Sequence, residues 1–257
     1  MSNDTPRYYG QNGEDYILGQ LCAGLKEGFF VEIGCIDGRR FSNTLTFEEQ
    51  GWRGMCIEAH EDYIPLLKKN RPNSIVCHCA AGKTDEEDVP FYANNRGSLS
   101  TLDPSKEEEF RKRFGGYFSG FQLRQVKKRR LDTLLKLHHI RHMDILSIDV
   151  EGSEADVLEG LDLNRCRPRV MVIEADTAQD ELKLDHILLN AGYFKSIKIV
   201  NNVFYLMDKH MDDLLKNKKH LATIIHTQHP LDNGGDMRLT FTFEYPGPVH
   251  ISKEDHD

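Results

Sequence analysis

The sequence lacks a long hydrophobic run, a secretory pattern at its start and an excess of positive charge. No stretch of about 18 consecutive apolar residues occurs, so no membrane span is expected. Residues 1–6 show no basic segment followed by an apolar one, so no signal peptide is expected either. The net charge of −8 argues against nucleic acid as a partner, because broad affinity for it needs a positive surface.

The sequence has neither a cysteine pattern typical of a disulfide framework nor an internal repeat. The six cysteines among 257 residues are spread through apparent core segments rather than clustered. This distribution favours the reduced thiols of a cytoplasmic protein over a disulfide framework. The chain length predicts one domain with additions.

Short apolar runs alternate with helix-like stretches through most of the chain. This alternation is typical of an α/β protein with a parallel sheet. The predicted strands are Phe29–Ile33, Gly54–Glu58, Ser74–Cys79, Ile145–Asp149 and Val170–Glu174. The predicted helices are Tyr16–Leu21, Asn43–Gln50, Asp62–Asn70, Ser153–Gly160 and Asp180–Ala191.

The sheet is predicted to end in a hairpin. Phe194–Val200 and Val203–Met207 flank Asn201-Asn202, and asparagine tolerates the left-handed backbone that a tight antiparallel turn requires. Parallel strands followed by an antiparallel hairpin predict a mostly parallel, seven-stranded sheet. That arrangement is typical of Rossmann-like class I methyltransferases, whereas dehydrogenase sheets are parallel throughout.

The pattern predicts a main domain over residues 1–210 and a C-terminal extension over residues 211–257. Between about residues 83 and 130 the pattern is irregular, and glycine is mixed with aromatic residues. We expect this segment to be an insertion or lid over the carboxyl ends of the strands, with an ordinary surface loop as the alternative. The extension is expected to pack on the domain, and its end to be frayed.

A glycine turn follows the first predicted strand. The spacing Gly34-x-x-x-Gly38 does not match G-x-G-x-x-G, so the dinucleotide fingerprint fails. The next strand ends in Glu58, whose carboxylate can accept hydrogen bonds from both ribose hydroxyls. S-adenosylmethionine (SAM) has a ribose and an amino-acid tail but no phosphate, so it suits such a turn. Polar groups for that tail are present in Asp37, Ser42, Asn43 and Thr44.

Acidic residues end the fourth and fifth predicted strands. Asp149 ends one strand, with Glu151 two residues beyond it, and Glu174 ends the other, so all lie at the edge where α/β ligand sites form. They predict a substrate-orienting pair, a general base or part of a Mg²⁺ site, and the spacing does not choose among these. For Glu154 we favour capping of the next helix.

A third polar group, Gln11 with Glu14 and Asp15, precedes the first helix, where capping is the alternative role. With it, several motifs occur in one order between about Gln11 and Met207. They are Gln11-x-Gly13-Glu14-Asp15, Phe30-Val31-Glu32-Ile33-Gly34-x-x-Asp37-Gly38, Phe41-Ser42-Asn43-Thr44, Gly51-Trp52-Arg53-Gly54 with Ile57-Glu58, Leu131-Asp132-Thr133-Leu134, and Ile148-Asp149-Val150-Glu151-Gly152-Ser153-Glu154. In these motifs the chain resembles the FkbM family of SAM-dependent methyltransferases.

The resemblance implies O-methyl transfer from SAM to a hydroxyl of a sugar, a glycan or a natural-product small molecule. Asp149 and Glu151 are the expected catalytic residues. The expected cofactor-binding residues are Glu32, Gly34, Asp37, Ser42, Asn43, Thr44, Glu58, Ala80, Ala81 and Asp149. The expected substrate-side residues are Gln11, Glu14, Asp15 and Glu174.

Alternatives remain for metal, base and function. Mg²⁺ bound by Asp149, Glu151 and Glu174 is one alternative to a metal-free site, and His60 is a weaker candidate base. A homo-oligomer is also possible from the sequence. The alternative functions are a non-catalytic SAM-binding scaffold and an NAD-linked oxidoreductase, the latter disfavoured by the missing fingerprint and the hairpin.

Overall fold

A seven-stranded sheet forms the centre of the chain, whose computed structural model describes residues 7–212, 220–226, 237–243 and 250–252. Five of its strands are parallel: β1 (Phe29–Ile33), β2 (Arg53–Glu58), β3 (Ser74–His78), β7 (Ile145–Ile148) and β8 (Val170–Glu174). The other two are β9 (Phe194–Ile199) and β10 (Asn202–Leu206), and the order across the sheet is β3-β2-β1-β7-β8-β10-β9. The predicted mostly parallel sheet is confirmed.

Helices cover both faces of this sheet. Alternate residues of a strand point to opposite faces, so Val31 and Ile33 pack in one core cluster and Phe30 in the other. The helices are α1 (Glu14–Leu21), α2 (Leu45–Glu49), α3 (Ile64–Asn70), α5 (Leu131–Leu137), α6 (Glu154–Glu159) and α7 (Ala178–Asn190).

All five predicted helices begin within two residues of the predicted start, and two of these differences have a local reason. Helix α2 starts only at Leu45, because the Ser42 hydroxyl accepts the amides of Thr44 and Leu45 before the helix begins. Helix α7 starts at Ala178, because Thr177 caps it by accepting the Asp180 amide at 3.1 Å.

The predicted hairpin is present, but its turn differs from the expectation. Strand β10 pairs antiparallel with both β8 and β9. The left-handed residue of the turn is Val200, at φ 51°, and neither asparagine has positive φ. Asn201 and Asn202 instead donate their side-chain amides to acids at the sheet edge, Asp176 at 2.7 Å and Glu14 at 2.9 Å.

Residues 83–130 are more regular than their sequence pattern indicates. A second sheet is formed by β4 (Ala80–Ala81), β5 (Glu86–Ala93) and β6 (Gln122–Arg129), in the order β4-β6-β5. Helix α4 (Lys106–Phe114) lies between β5 and β6 in the sequence. The alternation of β5 is obscured because three acids precede its inward-facing residues. The separate role of this segment as a lid remains a prediction.

Beyond Asp212, the C-terminal extension is described only in three strands. They are β11 (His220–His226), β12 (Met237–Phe243) and β13 (His250–Ser252), which form an antiparallel sheet. The end predicted to be frayed is residues 246–257, of which the structure describes only β13. That call and the packing of the extension on the domain remain predictions. Among the helices that the structure describes, none is long and apolar enough to cross a membrane.

Candidate active site

A cavity of about 310 Å³ lies at the carboxyl ends of the parallel strands. Its wall includes the last residues of β1 and β2 and the residues that follow β7. The chain continues from β1 to β2 on one side, whereas β7 lies on the other, so the strand order reverses at β1. Ligands of open α/β sheets bind at this kind of reversal.

Backbone strain is concentrated around this cavity. Positive φ occurs at five non-glycine residues of the described chain, and four of them, Ile36, Phe41, Glu151 and Val200, line the cavity. Such conformations are retained only where surrounding contacts enforce them, and they cluster at functional sites.

Gly34 brings the turn after β1 against the end of β7. Its φ is 85°, and a Cβ atom there would lie 1.7 Å from the Asp149 carbonyl oxygen. Its amide donates to the Ile57 carbonyl of β2 at 3.0 Å. Only glycine therefore allows the three strand ends to meet beneath the cavity.

Glu32 holds the polar loop after β1 in place. Its carboxylate accepts the Asn43 amide at 2.7 Å and the hydroxyls of Ser42 at 3.0 Å and Thr44 at 2.7 Å. The guanidinium of Arg71 completes the group at 2.8 Å from Glu32, and it also binds Glu48 at 2.7 Å. Glu32 and Ser42 reach the cavity wall, whereas Thr44 is fully buried behind it.

Asp37, the other predicted polar residue of the turn, does not line the cavity. Its carboxylate accepts the amides of Arg39 at 2.9 Å and Arg40 at 2.8 Å, so it stabilises the loop. The charged side chain that this loop presents to the cavity is Arg40.

Asn43 offers an unused acceptor. Its side-chain amide donates to the Ser147 hydroxyl at 3.1 Å, and its Oδ1 atom is buried with no hydrogen-bond partner among the described residues. Asn43 lines the cavity. A buried acceptor without a partner is costly, so a ligand that donates to Oδ1 would be stabilised there.

Glu58 lies at the end of β2, as predicted, and faces the cavity. One carboxylate oxygen accepts the Ile36 amide and the other the His60 amide, each at 2.7 Å. Burial raises its pKa to about 7. Because each carboxylate oxygen has further acceptor capacity, both can still receive ribose hydroxyls.

His60, the weaker base candidate, does not line the cavity. Its Nε2 atom lies 3.1 Å from the Asn94 carbonyl oxygen, and burial lowers its pKa. The predicted cofactor-binding residues Ala80 and Ala81 do line the cavity, together with Cys79 and Phe91. These small and apolar side chains form a wall suited to a flat base.

Three carboxylates converge at the other end of the cavity. Oxygens of Asp149, Glu151 and Glu174 all lie within 4.8 Å of one another. Burial raises the pKa of Asp149 to about 6, and burial together with the neighbouring carboxylates raises the pKa of Glu151 and Glu174 well above the usual range. We call these three residues the acid trio, and their protons titrate jointly.

The remaining predicted acids lie behind the cavity wall. Glu154 accepts the amides of Val150 and Gly152, so it stabilises the strained turn at Glu151. Glu14 accepts the amide and side chain of Asn12. Asp15 accepts the Tyr9 and Tyr16 amides. Of the predicted substrate-side residues, Gln11 and Glu174 line the cavity.

Several cavity residues were not predicted from the sequence. They come from the loop after β1, from the segment around α4 and from the hairpin turn: Arg40, Phe41, Ser98, Ser100, Thr101, Arg113, Phe114, Tyr117, Asn201 and Asn202. The glycine and aromatic residues near α4 and the asparagine pair were the available signals. They indicated a lid and a turn, but not which side chains face the ligand.

The sheet order, the glycine turn and the acid at the end of β2 define a Rossmann-like class I methyltransferase fold. The sequence model of the methyltransferase FkbM domain matches residues 32–219, which is more than half of the chain. The chain therefore belongs to the FkbM family and is a SAM-dependent methyltransferase.

Several solved structures resemble the chain at low identity. Precorrin-6y C5,15-methyltransferase from Geobacter metallireducens is 12% identical with a TM-score of 0.42, covering 80% of this chain and 91% of that one. A SAM-dependent methyltransferase from Aquifex aeolicus is 13% identical with a TM-score of 0.39, covering 76% and 89%. Fibrillarin from Aeropyrum pernix, solved with bound SAM, is 12% identical with a TM-score of 0.38, covering 76% and 75%. No curated protein matches the sequence.

The cavity residues fit SAM. Glu58 can accept from the ribose, the wall of Ala80 and Ala81 suits adenine, and the unpartnered Oδ1 atom of Asn43 can accept from the α-ammonium. SAM supplies a methyl group activated by its sulfonium.

Proposed function

We propose that the protein methylates a hydroxyl oxygen of a saccharide or of a hydroxylated natural product. The observation that carries this proposal is the acid trio beside the cavity. A hydroxyl has a high pKa and must lose its proton during attack, so a neighbouring base is required. A carboxylate whose pKa is raised towards neutrality is a stronger base than an ordinary one.

Asp149 and Glu151 are the candidate bases. Both follow β7, and the positive φ of 57° at Glu151 belongs to the strained turn that Glu154 stabilises. A fixed turn positions the carboxylate, and in-line displacement depends strongly on the position of the acceptor oxygen. Thr101 donates its hydroxyl to the Glu151 carbonyl at 2.8 Å, which joins the segment before α4 to this turn.

The rest of the wall supports a polyhydroxylated acceptor. Gln11, Asn12 and Asn202 offer amide groups, and Ser98 and Ser100 offer hydroxyls. Amides and hydroxyls both donate and accept, which suits the hydroxyls of a sugar. Phe114 and Tyr117 add aromatic faces on which the apolar face of a sugar ring can stack.

A screen of acceptors tests the proposal. The full chain is incubated with SAM and panels of saccharides, hydroxylated natural products and amines, and release of S-adenosylhomocysteine (SAH) is measured with mass spectrometry of the products. Transfer to oxygen in the hydroxyl panels supports the proposal. Transfer only to amines, or SAM binding without transfer to any panel member, contradicts it.

A chelator tests the cation alternative separately. No step of the proposed chemistry requires a metal ion, so activity on the acceptor found in the screen should persist in EDTA. Loss of activity that Mg²⁺ restores would instead show that the acid trio binds a divalent cation, because carboxylate oxygens are its preferred ligands.

A further inference from the structure

Arg40 is a cationic residue of the cavity wall without an acidic partner. Among the described residues, no carboxylate lies within ion-pair distance of its guanidinium, and its Nε atom is buried with no hydrogen-bond partner. The acid closest in sequence, Asp37, is occupied by the backbone amides of Arg39 and Arg40. Arg113, the other arginine of the wall, is neutralised by Asp176 at 2.8 Å.

The guanidinium of Arg40 is held in position by neutral groups. It donates from one terminal nitrogen to the Arg96 carbonyl oxygen at 2.8 Å, and it lies 5.7 Å from the centre of the Tyr63 ring. These contacts fix its direction without cancelling its charge. A buried N–H that lacks an acceptor costs free energy, which a bound acceptor would recover.

Arg96 adds a second guanidinium from another segment. It stacks 3.9 Å from the centre of the ring of Tyr117, which is itself a cavity residue. No carboxylate of the described chain lies within ion-pair distance of Arg96 either. Arg96 does not itself line the cavity, but its guanidinium lies against a cavity residue and adds unbalanced positive charge beside the site that Arg40 faces.

We infer that Arg40, assisted by Arg96, forms an oxyanion-binding subsite of the cavity. A planar guanidinium binds carboxylate and phosphate oxygens through paired N–H donors, which matches the unused Nε atom. The oxyanion has two possible sources, the α-carboxylate of SAM and an anionic group on the acceptor. The inference rests on the use of SAM but not on a hydroxyl acceptor, so a failed acceptor screen would not affect its test.

Two cofactor forms that differ only in the carboxylate test the first source. The dissociation constants of SAM and of decarboxylated SAM are measured by calorimetry for the wild type and for Arg40→Gln. If the subsite binds the cofactor, Arg40→Gln raises the dissociation constant of SAM by about tenfold or more, because a hydrogen bond between charged groups is lost. The dissociation constant of decarboxylated SAM should then change by less than about twofold. Arg96→Gln should produce a smaller selective loss.

Inorganic phosphate tests the second source. If the acceptor carries the oxyanion, both cofactor forms keep their affinity in Arg40→Gln. Phosphate then binds the SAH-loaded wild type and binds the SAH-loaded Arg40→Gln variant at least about tenfold more weakly.

The controls separate binding from folding. Arg39→Gln removes the neighbouring arginine, which is exposed, lies 5.3 Å from the Tyr9 ring and does not line the cavity. This variant should therefore keep the wild-type affinities for SAM, for decarboxylated SAM and for phosphate. Arg40→Lys keeps the charge but loses the paired donors, and it serves if Arg40→Gln is unstable. The inference is overturned if Arg40→Gln weakens the binding of SAM and of decarboxylated SAM equally. It is also overturned if neither affinity changes and phosphate binding does not depend on Arg40.

Discussion

Gly34 and Gly24 have nearly the same backbone conformation, with φ of 85° and 90°, but different surroundings. A Cβ at Gly34 would collide with the Asp149 backbone after β7, whereas nothing lies within 4 Å of a Cβ at Gly24. We expect Gly24→Ala to cost about 1–2 kcal/mol through left-handed strain alone. Gly34→Ala should cost at least about 4 kcal/mol and abolish SAH binding, because β1 and β7 must separate.

Urea unfolding and SAH calorimetry on the two glycine variants make this comparison. Equal losses of stability, with SAH binding retained in Gly34→Ala, would show that the close contact with Asp149 is not required.

Glu151 is the residue on which the proposed chemistry depends most. Glu151→Gln removes a base but preserves shape, so we expect kcat to fall by about 10²–10⁴-fold with SAH affinity unchanged. In the wild type, kcat should rise with pH as the acid trio loses protons, because only the carboxylate form accepts a proton. The pKa of Asp149, about 6, places part of this rise below neutrality.

Kinetics and calorimetry from pH 5 to 9 on the acceptor found in the screen provide the measurement. Glu159→Gln, on the exposed side of α6, is the matched control and should behave as the wild type. A Glu151→Gln enzyme with normal kcat would assign the base to another residue.

At the scale of elements, Arg71 joins three parts of the chain. It follows α3, and its guanidinium binds Glu32 of β1, Glu48 of α2 and the Gly38 carbonyl of the glycine turn at 3.3 Å. Removing one partner of a buried ion pair leaves the others uncompensated. We therefore expect Arg71→Met to lower the free energy of unfolding by about 3–5 kcal/mol.

Two further variants check the cause of that loss. Adding Glu32→Gln and Glu48→Gln to Arg71→Met should recover part of the stability, since no unpaired buried charge then remains. Lys69→Met removes an exposed cation from the last turn of α3, two residues before Arg71, and should change stability by less than about 0.5 kcal/mol in urea unfolding. No recovery in the triple variant would contradict the explanation by charge.

The elements of the sheet could be predicted because their apolar runs are local signals. Glu58 and the acid trio could be placed too, since an acid that ends a parallel strand lies at the ligand edge. Arg71 could not, because Asn70-Arg71-Pro72 indicates only the end of a helix, and its partner Glu32 lies 39 residues away. Arg40 was missed for a similar reason: its direction depends on Arg96, 56 residues later.

For the whole molecule, the buried acids predict how stability depends on pH. Burial raises the pKa of seven described carboxyls: Glu14, Asp15, Glu58, Asp149, Glu151, Glu154 and Glu174. Between the ordinary carboxyl range and pH 7, the folded state holds protons that the unfolded chain has lost. Each excess proton lowers the free energy of unfolding by about 1.4 kcal/mol per pH unit as pH rises.

We therefore expect the ligand-free protein to lose stability from pH 5 to 7. The lowered pKa of His60 acts in the opposite direction. Six carboxyls with lowered pKa also do so, but they titrate mainly below this interval: Asp62, Asp85, Glu86, Glu87, Asp180 and Glu181. Urea unfolding at several pH values measures the slope, which should be smaller for a Glu58→Gln variant. Stability that rises across this interval would show that the acids are not protonated in the folded state.

The position of β1 has a consequence for synthesis of the protein. The Phe29 amide bonds to Asp144, 115 residues later in the chain, so one side of β1 has no partner while the intervening residues leave the ribosome. During that time the nascent chain exposes an apolar strand edge, which other chains can pair with. A product truncated before Ile145 would contain the whole glycine turn and Glu58 but would lack β7 and the cavity residues that follow it. We expect this product to aggregate rather than bind SAM.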